Sequence, residues 1–145
     1  MKTLLITFLS LFLITSANAQ EAIGKIMNIA GSAYVERKNT KIDLKVSDHV
    51  YLRDVVHVSE KGTLGLVFLD GTAFSLENGA RFELNEFVFN SKNKSMFFSI
   101  TAGAMSMISG AIAPTGNMKI DTPVGTMGIR GTAPRVVIKI GRAHV

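Results

Sequence analysis

Residues 64–88 read LGLVFLDGTAFSLENGARFELNEFV, and this stretch decides the fold class. Large apolar residues recur in it at even-numbered positions: Leu64, Leu66, Phe68, Phe74 and Leu76. Because the side chains of a β-strand alternate between two faces, this pattern is typical of two strands that each bury one face. The Asp-Gly pair between them indicates a tight turn.

The length of that turn follows from the residues it brings opposite each other. A two-residue Asp-Gly loop sets the apolar residues of the first strand opposite odd-numbered residues, which are small or polar. A three-residue loop that ends at Gly71 pairs Leu66 with Phe74 and Leu64 with Leu76, so both strands bury the same face. We therefore predict a three-residue loop with Gly71 in the left-handed conformation.

The same arithmetic predicts a second hairpin a few residues later, at Glu77-Asn78-Gly79. A three-residue loop there pairs Phe74 with Phe82 and Leu76 with Ala80, again on the apolar face. The two assignments agree on which face is buried.

The rest of the chain is also strand-like. Short runs with alternating or β-branched residues lie at 26–29, 33–36, 55–58, 96–100 and 118–124. Strands recur about every 10 to 20 residues without helical crossovers, which favours a sandwich, a barrel or a β-solenoid. We predict an all-β fold of short antiparallel and stacked strands, solenoid-like, with a β-sandwich as the alternative.

The composition excludes several classes of site. The chain has 145 residues, 47% hydrophobic and 19% charged, as expected for one globular domain. It has no cysteine, so disulfides, thiolate catalysis and Cys-ligated zinc are excluded. The net charge of +5 comes from scattered basic residues, not from a basic face interleaved with aromatics, so we expect no nucleic-acid partner.

The sequence offers no set of residues for catalysis. His49 and His57 have no third metal ligand at motif spacing, and His144 lies at the far end of the chain. The glycines of residues 125–131 recur every third position, which fits neither a dinucleotide loop nor a phosphate loop. We predict no catalytic residue, no cofactor and no metal, and a protein that is not an enzyme.

The first 19 residues have the pattern of a secretory signal peptide. Lys2 precedes an apolar run from Leu4 to Ile14, and Ala17-Asn18-Ala19 forms a small-x-small cleavage site. The run is about half of the roughly 20 residues that a spanning helix needs. We predict cleavage before Gln20, export to the periplasm or cell surface, and no membrane span after cleavage.

Several ordered motifs resemble the FecR-domain family. Residues 120–132, IDTPVGTMGIRGT, resemble the string that closes the core of these domains. Upstream, 66–72 (LVFLDGT) resembles the family's Asp-Gly-Ser/Thr stretch, and 46–54 resembles its Val-Gly-Asp segment, with Ser47 in place of the glycine. The opening residues 24–35 also fit, so the resemblance covers most of the chain after Gln20.

The resemblance implies structural roles for the residues of these motifs: Asp70, Gly71, Pro123, Gly125, Gly128, Arg130, Gly131 and Thr132. Arg130 has two possible roles. Its guanidinium has five donors in a fixed fork, which suits backbone carbonyls between neighbouring strands. The alternative is an anion or partner site on the surface.

Family members are periplasmic or surface β domains with a solenoid-like core. The founding type senses an iron-siderophore transporter and signals to a sigma factor through a membrane helix and a cytoplasmic segment. Because the apolar leader begins at Met1, we expect the exported, domain-only form here. We assign 20–139 to a FecR-like domain, incomplete at its C-terminus, and 140–145 to an artefactual tail.

Two functions follow from the resemblance. The first is an interaction module of the cell envelope that binds an envelope protein or cell-wall glycan. The alternative is a sensor fragment of an iron-uptake signalling system.

Overall fold

The computed structural model describes residues 20–130 and 135–136. The predicted signal peptide, Gly131, Thr132 and the predicted tail at 140–145 lie outside the described residues. Of the described chain, 66% is β-strand. The strands have these bounds: β1 Ala22–Ala30, β2 Ala33–Arg37, β3 Thr40–Asp43, β4 His49–Tyr51, β5 Val55–Val58, β6 Thr63–Phe68, β7 Ala73–Phe89, β8 Lys94–Ile108, β9 Met118–Thr122, β10 Gly125–Ile129 and β11 Arg135–Val136. One 3₁₀ turn, Ala113–Thr115, lies between β8 and β9.

The strands form one sheet that curls around a single core. Its main path runs β10-β9-β8-β7-β5-β2-β3, and β6 joins it by pairing with the first half of β7. β1 pairs with both β6 and β4, while β11 pairs with β8. The pairings are antiparallel except for β8 with β9, which are parallel. The predicted all-β fold is confirmed as a curled, mostly antiparallel sheet.

The first predicted hairpin is confirmed. β6 and β7 pair Leu64 with Leu76 and Leu66 with Phe74. The backbone N–H of Phe68 donates to the carbonyl of Thr72, which closes a three-residue loop. Gly71 has a φ of 89°, in the left-handed region that favours glycine.

The second predicted hairpin is wrong, because β7 continues through residues 77–79. Asn78 and Gly79 have φ values of 57° and 73°, but they form a bulge in the strand. β8 follows the bend at Gly103, where an added Cβ would lie 2.5 Å from the backbone of Ala80. Two left-handed residues suit a bulge as well as a turn, and pairing along β8 favours the bulge.

The bend still brings the expected apolar residues together. The rings of Phe74 and Phe82 lie 5.1 Å apart, because both face the core from opposite sides of the bend. Phe98 of β8 packs on Phe74 in a T-shaped contact at 4.9 Å, and Phe68 packs on it from β6 at 5.3 Å. Aromatic pairs of this kind add stability beyond the area they bury.

Candidate functional site

The Asp70-Gly71-Thr72 turn anchors a distant loop. The carboxylate of Asp70, only 7% exposed, accepts hydrogen bonds from Thr72 N–H at 3.1 Å, the Thr72 hydroxyl at 2.6 Å and Ile112 N–H at 3.2 Å. The carbonyl of Asp70 accepts a further bond from Ala111 N–H, and the Thr72 hydroxyl oxygen accepts one from Gly110 N–H. These contacts engage both carboxylate oxygens, so the turn holds the loop at 110–112 in place.

A second buried carboxylate belongs to Asp54, the last residue of the 46–54 motif. Arg37 binds it in a bidentate ion pair, with Nε 2.8 Å from Oδ1 and Nη2 2.7 Å from Oδ2. The N–H of Tyr51 donates to the same Oδ2, and the Arg37 guanidinium lies 4.4 Å from the Tyr51 ring centroid. The hydrogen bond with Asp54 raises the pKa of Arg37, against the opposing effect of burial. This carboxylate therefore fixes the end of β2 to the turn after β4.

The Ser47 substitution has a local consequence. Ser47 occupies a left-handed conformation with a φ of 76°, which accounts for the glycine that the family pattern has there. The next residue, Asp48, accepts a hydrogen bond from Lys45 N–H at 2.8 Å and closes the turn. The turn forms with serine in place of glycine, at the cost of some backbone strain.

The closing motif forms the β9–β10 hairpin, with Pro123 at its tip. The Thr122 hydroxyl donates to the Gly125 carbonyl at 2.9 Å and accepts a bond from Val124 N–H. Gly125 has a φ of 144°, while Gly128 lies in the exposed part of β10.

Arg130 follows β10 and is exposed. Its guanidinium lies against Gly116, where an added Cβ would come within 3.1 Å of Nη2. Among the described residues it has no hydrogen-bond partner, so its structural role stays a prediction. Asp70 and Arg130 nonetheless contact the same segment, 110–116, from its two ends.

A row of stacked polar groups crosses the outer face of β3, β2, β5 and β7. The Tyr34 and His57 rings stack with their centroids 4.5 Å apart. The Lys41 Nζ lies over the Tyr34 ring, 4.3 Å from its centroid. His57 Nε2 lies 3.0 Å from the Glu36 carboxylate. Burial lowers the pKa of His57, and the charges of Arg81 and Lys41 lower it further, while Glu36 raises it. Because both faces of the Tyr34 ring are covered, this row is no platform for a planar ligand.

A shallow groove lies on the outer face of β1, β6, β7 and β8. It holds about 230 Å³, and Met27 and Ile108 line it with 51% and 66% of their surfaces exposed. Its lining is free of charged side chains: Met27, Asn28, Gly65, Leu66, Val67, Ala73, Phe74, Ser75, Ser106, Met107 and Ile108. Its one aromatic side chain, Phe74, is 2% exposed.

The sequence analysis did not identify this groove. The sequence does contain a feature that points to it. Met27 and Ile108 are large apolar residues that each follow a buried strand residue, so the alternation of a strand turns them toward solvent. The predicted motif residues lie elsewhere: Asp70 and Gly71 contact the 110–112 loop, and Pro123, Gly125 and Gly128 lie in the β9–β10 hairpin. The motifs therefore organise the fold, while the groove is the candidate binding surface.

Within residues 20–130 and 135–136, no group of three or more His, Cys, Asp or Glu side chains is placed to hold a metal ion. Over the same residues, no helix is long and apolar enough to cross a membrane.

Comparison with known proteins gave one match. The family model described as FecR protein matches residues 54–145. This range contains the Asp70-Gly71-Thr72 turn and the closing motif, and it begins at the buried Asp54. No curated protein matches the chain, and no solved structure does.

Proposed function

Since the chain belongs to the FecR protein family, we propose that it is a non-enzymatic module of the cell envelope that binds another envelope protein. The groove on β1, β6, β7 and β8 supports this proposal. Exposed apolar residues that border one concave surface are typical of protein contact sites. Met27 and Ile108 provide such a border, and together they are the observation that carries the proposal.

The chemistry of the groove favours a protein over a glycan. Aromatic side chains such as Tyr and Trp offer a ring to pack against and a polar group to hydrogen-bond, but the groove exposes no such ring. The small side chains of Ala73 and Ser75 make a flat floor, and the Asn28 amide offers a donor and an acceptor. An uncharged, extended apolar peptide segment suits this surface best.

The proposed location is outside the cytoplasm. The apolar run and the Ala17-Asn18-Ala19 site support export with cleavage before Gln20. The intact mass of the exported protein is expected to correspond to a chain that starts at Gln20. A membrane-bound product that retains Met1 would contradict cleavage.

Family membership also supports the second candidate, a sensor fragment of an iron-uptake signalling system. The two candidates differ in the identity of the partner. A transporter or signalling protein in the groove supports the sensor, whereas a structural envelope protein supports a general interaction module.

The proposal is tested by co-purification from envelope extract with matched variants. Met27→Lys and Ile108→Lys each place a charge in the groove, while Val46→Lys makes the same change at an exposed valine outside it. We expect wild type and Val46→Lys to retain one protein partner that both groove variants lose. Equal retention by all four proteins, or retention of glycan alone, would contradict the proposal.

A further inference from the structure

β10 (Gly125–Ile129) lies at one end of the sheet. Among residues 20–130 and 135–136 it pairs with β9 and with no other strand. In an antiparallel pair every second residue points its backbone N–H and C=O away from the partner, so β10 offers a row of such groups at its outer side. Its sequence, Gly-Thr-Met-Gly-Ile, contains no charged residue.

The opposite end of the sheet is different. β3 (Thr40–Asp43) carries Lys41 and Asp43, and the turn before it contains the left-handed residues Lys38 and Asn39. Charges on an edge strand oppose pairing with another chain. β3 therefore has the protection that β10 lacks.

We propose that β10 pairs antiparallel with β10 of a second copy of this chain, with Met127 on the two-fold axis. In such an isologous contact the same strand serves both partners. The register sets Met127 opposite Met127 of the second copy, and Thr126 opposite Gly128 of the second copy. The groove on the other part of the sheet takes no part in this contact.

The charges beside β10 are complementary under this symmetry. On β9, Lys119 lies opposite Gly128 and Asp121 lies opposite Thr126. The two-fold axis therefore places Lys119 of each copy in one row with Asp121 of the other. An added Cβ at Gly128 would meet nothing within 4 Å, so the long Lys119 side chain has room to extend across β10 toward the second copy.

The apolar side of β10 fits the same arrangement. Met127 is 45% exposed, although it lies on the same face of the strand as Ile129, which is buried in the core. Pairing at the axis would bring the two Met127 side chains together and extend the apolar face across both copies. Since five residues form a contact smaller than a standard interface, we expect a dissociation constant on the order of micromolar.

Charge-swap variants at the axis provide the test. The full chain is expressed, the folded product is purified, and its molar mass is measured by sedimentation from about 1 to about 200 µM, the range that a small interface requires. Met127→Lys and Met127→Glu each place like charges opposite each other, while an equimolar mixture places a lysine opposite a glutamate. Ile42→Lys on β3 is the matched control, and circular dichroism checks that each variant is folded.

We expect wild type and Ile42→Lys to dimerise, each Met127 variant to dimerise at least about tenfold more weakly, and the mixture to recover the dimer. Wild type that stays monomeric at the highest concentration would overturn the proposal, as would Met127 variants that dimerise like wild type. A mixture that stays monomeric would overturn the placement of Met127 on the axis. Because no envelope partner is present, these results are independent of the groove.

Discussion

Replacing Asp70 by asparagine removes one acceptor oxygen from the turn that holds the 110–112 loop. In the structure Oδ1 accepts from Thr72 N–H, and Oδ2 accepts from the Thr72 hydroxyl and Ile112 N–H. Asparagine has one acceptor oxygen and one NH₂ donor. In either orientation of the amide, the NH₂ group faces a backbone N–H, and that N–H loses its acceptor.

The expected cost follows from the burial of these groups. Asp70 is 7% exposed and Thr72 is fully buried. A buried polar group without its partner costs about 1–3 kcal/mol, and the weaker bonds of a neutral amide add to this. We expect Asp70→Asn to lower the free energy of unfolding by about 2–4 kcal/mol, and Asp70→Ala, which removes every acceptor, by somewhat more.

Urea unfolding followed by far-UV circular dichroism measures this difference, since the chain has no tryptophan for fluorescence. Asp43→Asn is the matched control because Asp43 is exposed on β3. Its effect should stay within about 0.5 kcal/mol. Equal unfolding midpoints for Asp70→Asn and Asp43→Asn would refute the role assigned to the turn.

Three further predictions concern stability. Gly71→Val should lower the free energy of unfolding by about 1–2 kcal/mol. The cost comes from the left-handed backbone alone, since an added Cβ at Gly71 would meet no close neighbour. Gly128→Val is the control, and equal unfolding midpoints of the two variants in urea would contradict the assigned loop. Arg37→Lys should cost about 1–3 kcal/mol, since lysine loses the bidentate bond to buried Asp54; an unchanged midpoint would show that the ion pair contributes little. For His57, whose pKa in the fold lies below its ordinary value of 6.5, the contribution to the free energy of unfolding should be constant above pH 6.5 and be lost as the pH drops through the folded pKa. His57→Gln should flatten this decline, and an identical pH profile would contradict the cause.

The sequence predicts those turns and strand pairings that depend on residues close together along the chain. The β6–β7 hairpin follows from the alternation of Leu64, Leu66 and Phe74 and from Gly71, all within a few residues. The hairpin predicted at 77–79 is wrong because β7 continues through the bulge and stays paired with β8, whose Gly103 follows the bend and is far away in the sequence. The local sequence therefore located the irregular backbone at 77–79, but long-range pairing with β8 made it a bulge and not a hairpin loop.

In the candidate site, too, local features follow from the sequence, whereas long-range contacts do not. The motif around Asp70 is correctly placed in a turn, but its partner Ile112 becomes known only from the fold. Met27 of β1 and Ile108 of β8 line the same groove, and only the pairing order of four strands places them on one surface. An exposed apolar residue is unremarkable by itself, and it indicates a binding surface only when a second one lies across a groove.

Site-specific photo-crosslinking in growing cells tests the central claim most directly. A photoreactive amino acid replaces Ile108 in the groove or, as the control, the exposed Val46 outside it. We predict a defined adduct with one envelope protein from position 108, absent from position 46 and lost when Met27→Lys is added. No protein adduct at position 108, or the same adducts from both positions, would contradict the assignment of the groove as a protein-binding surface.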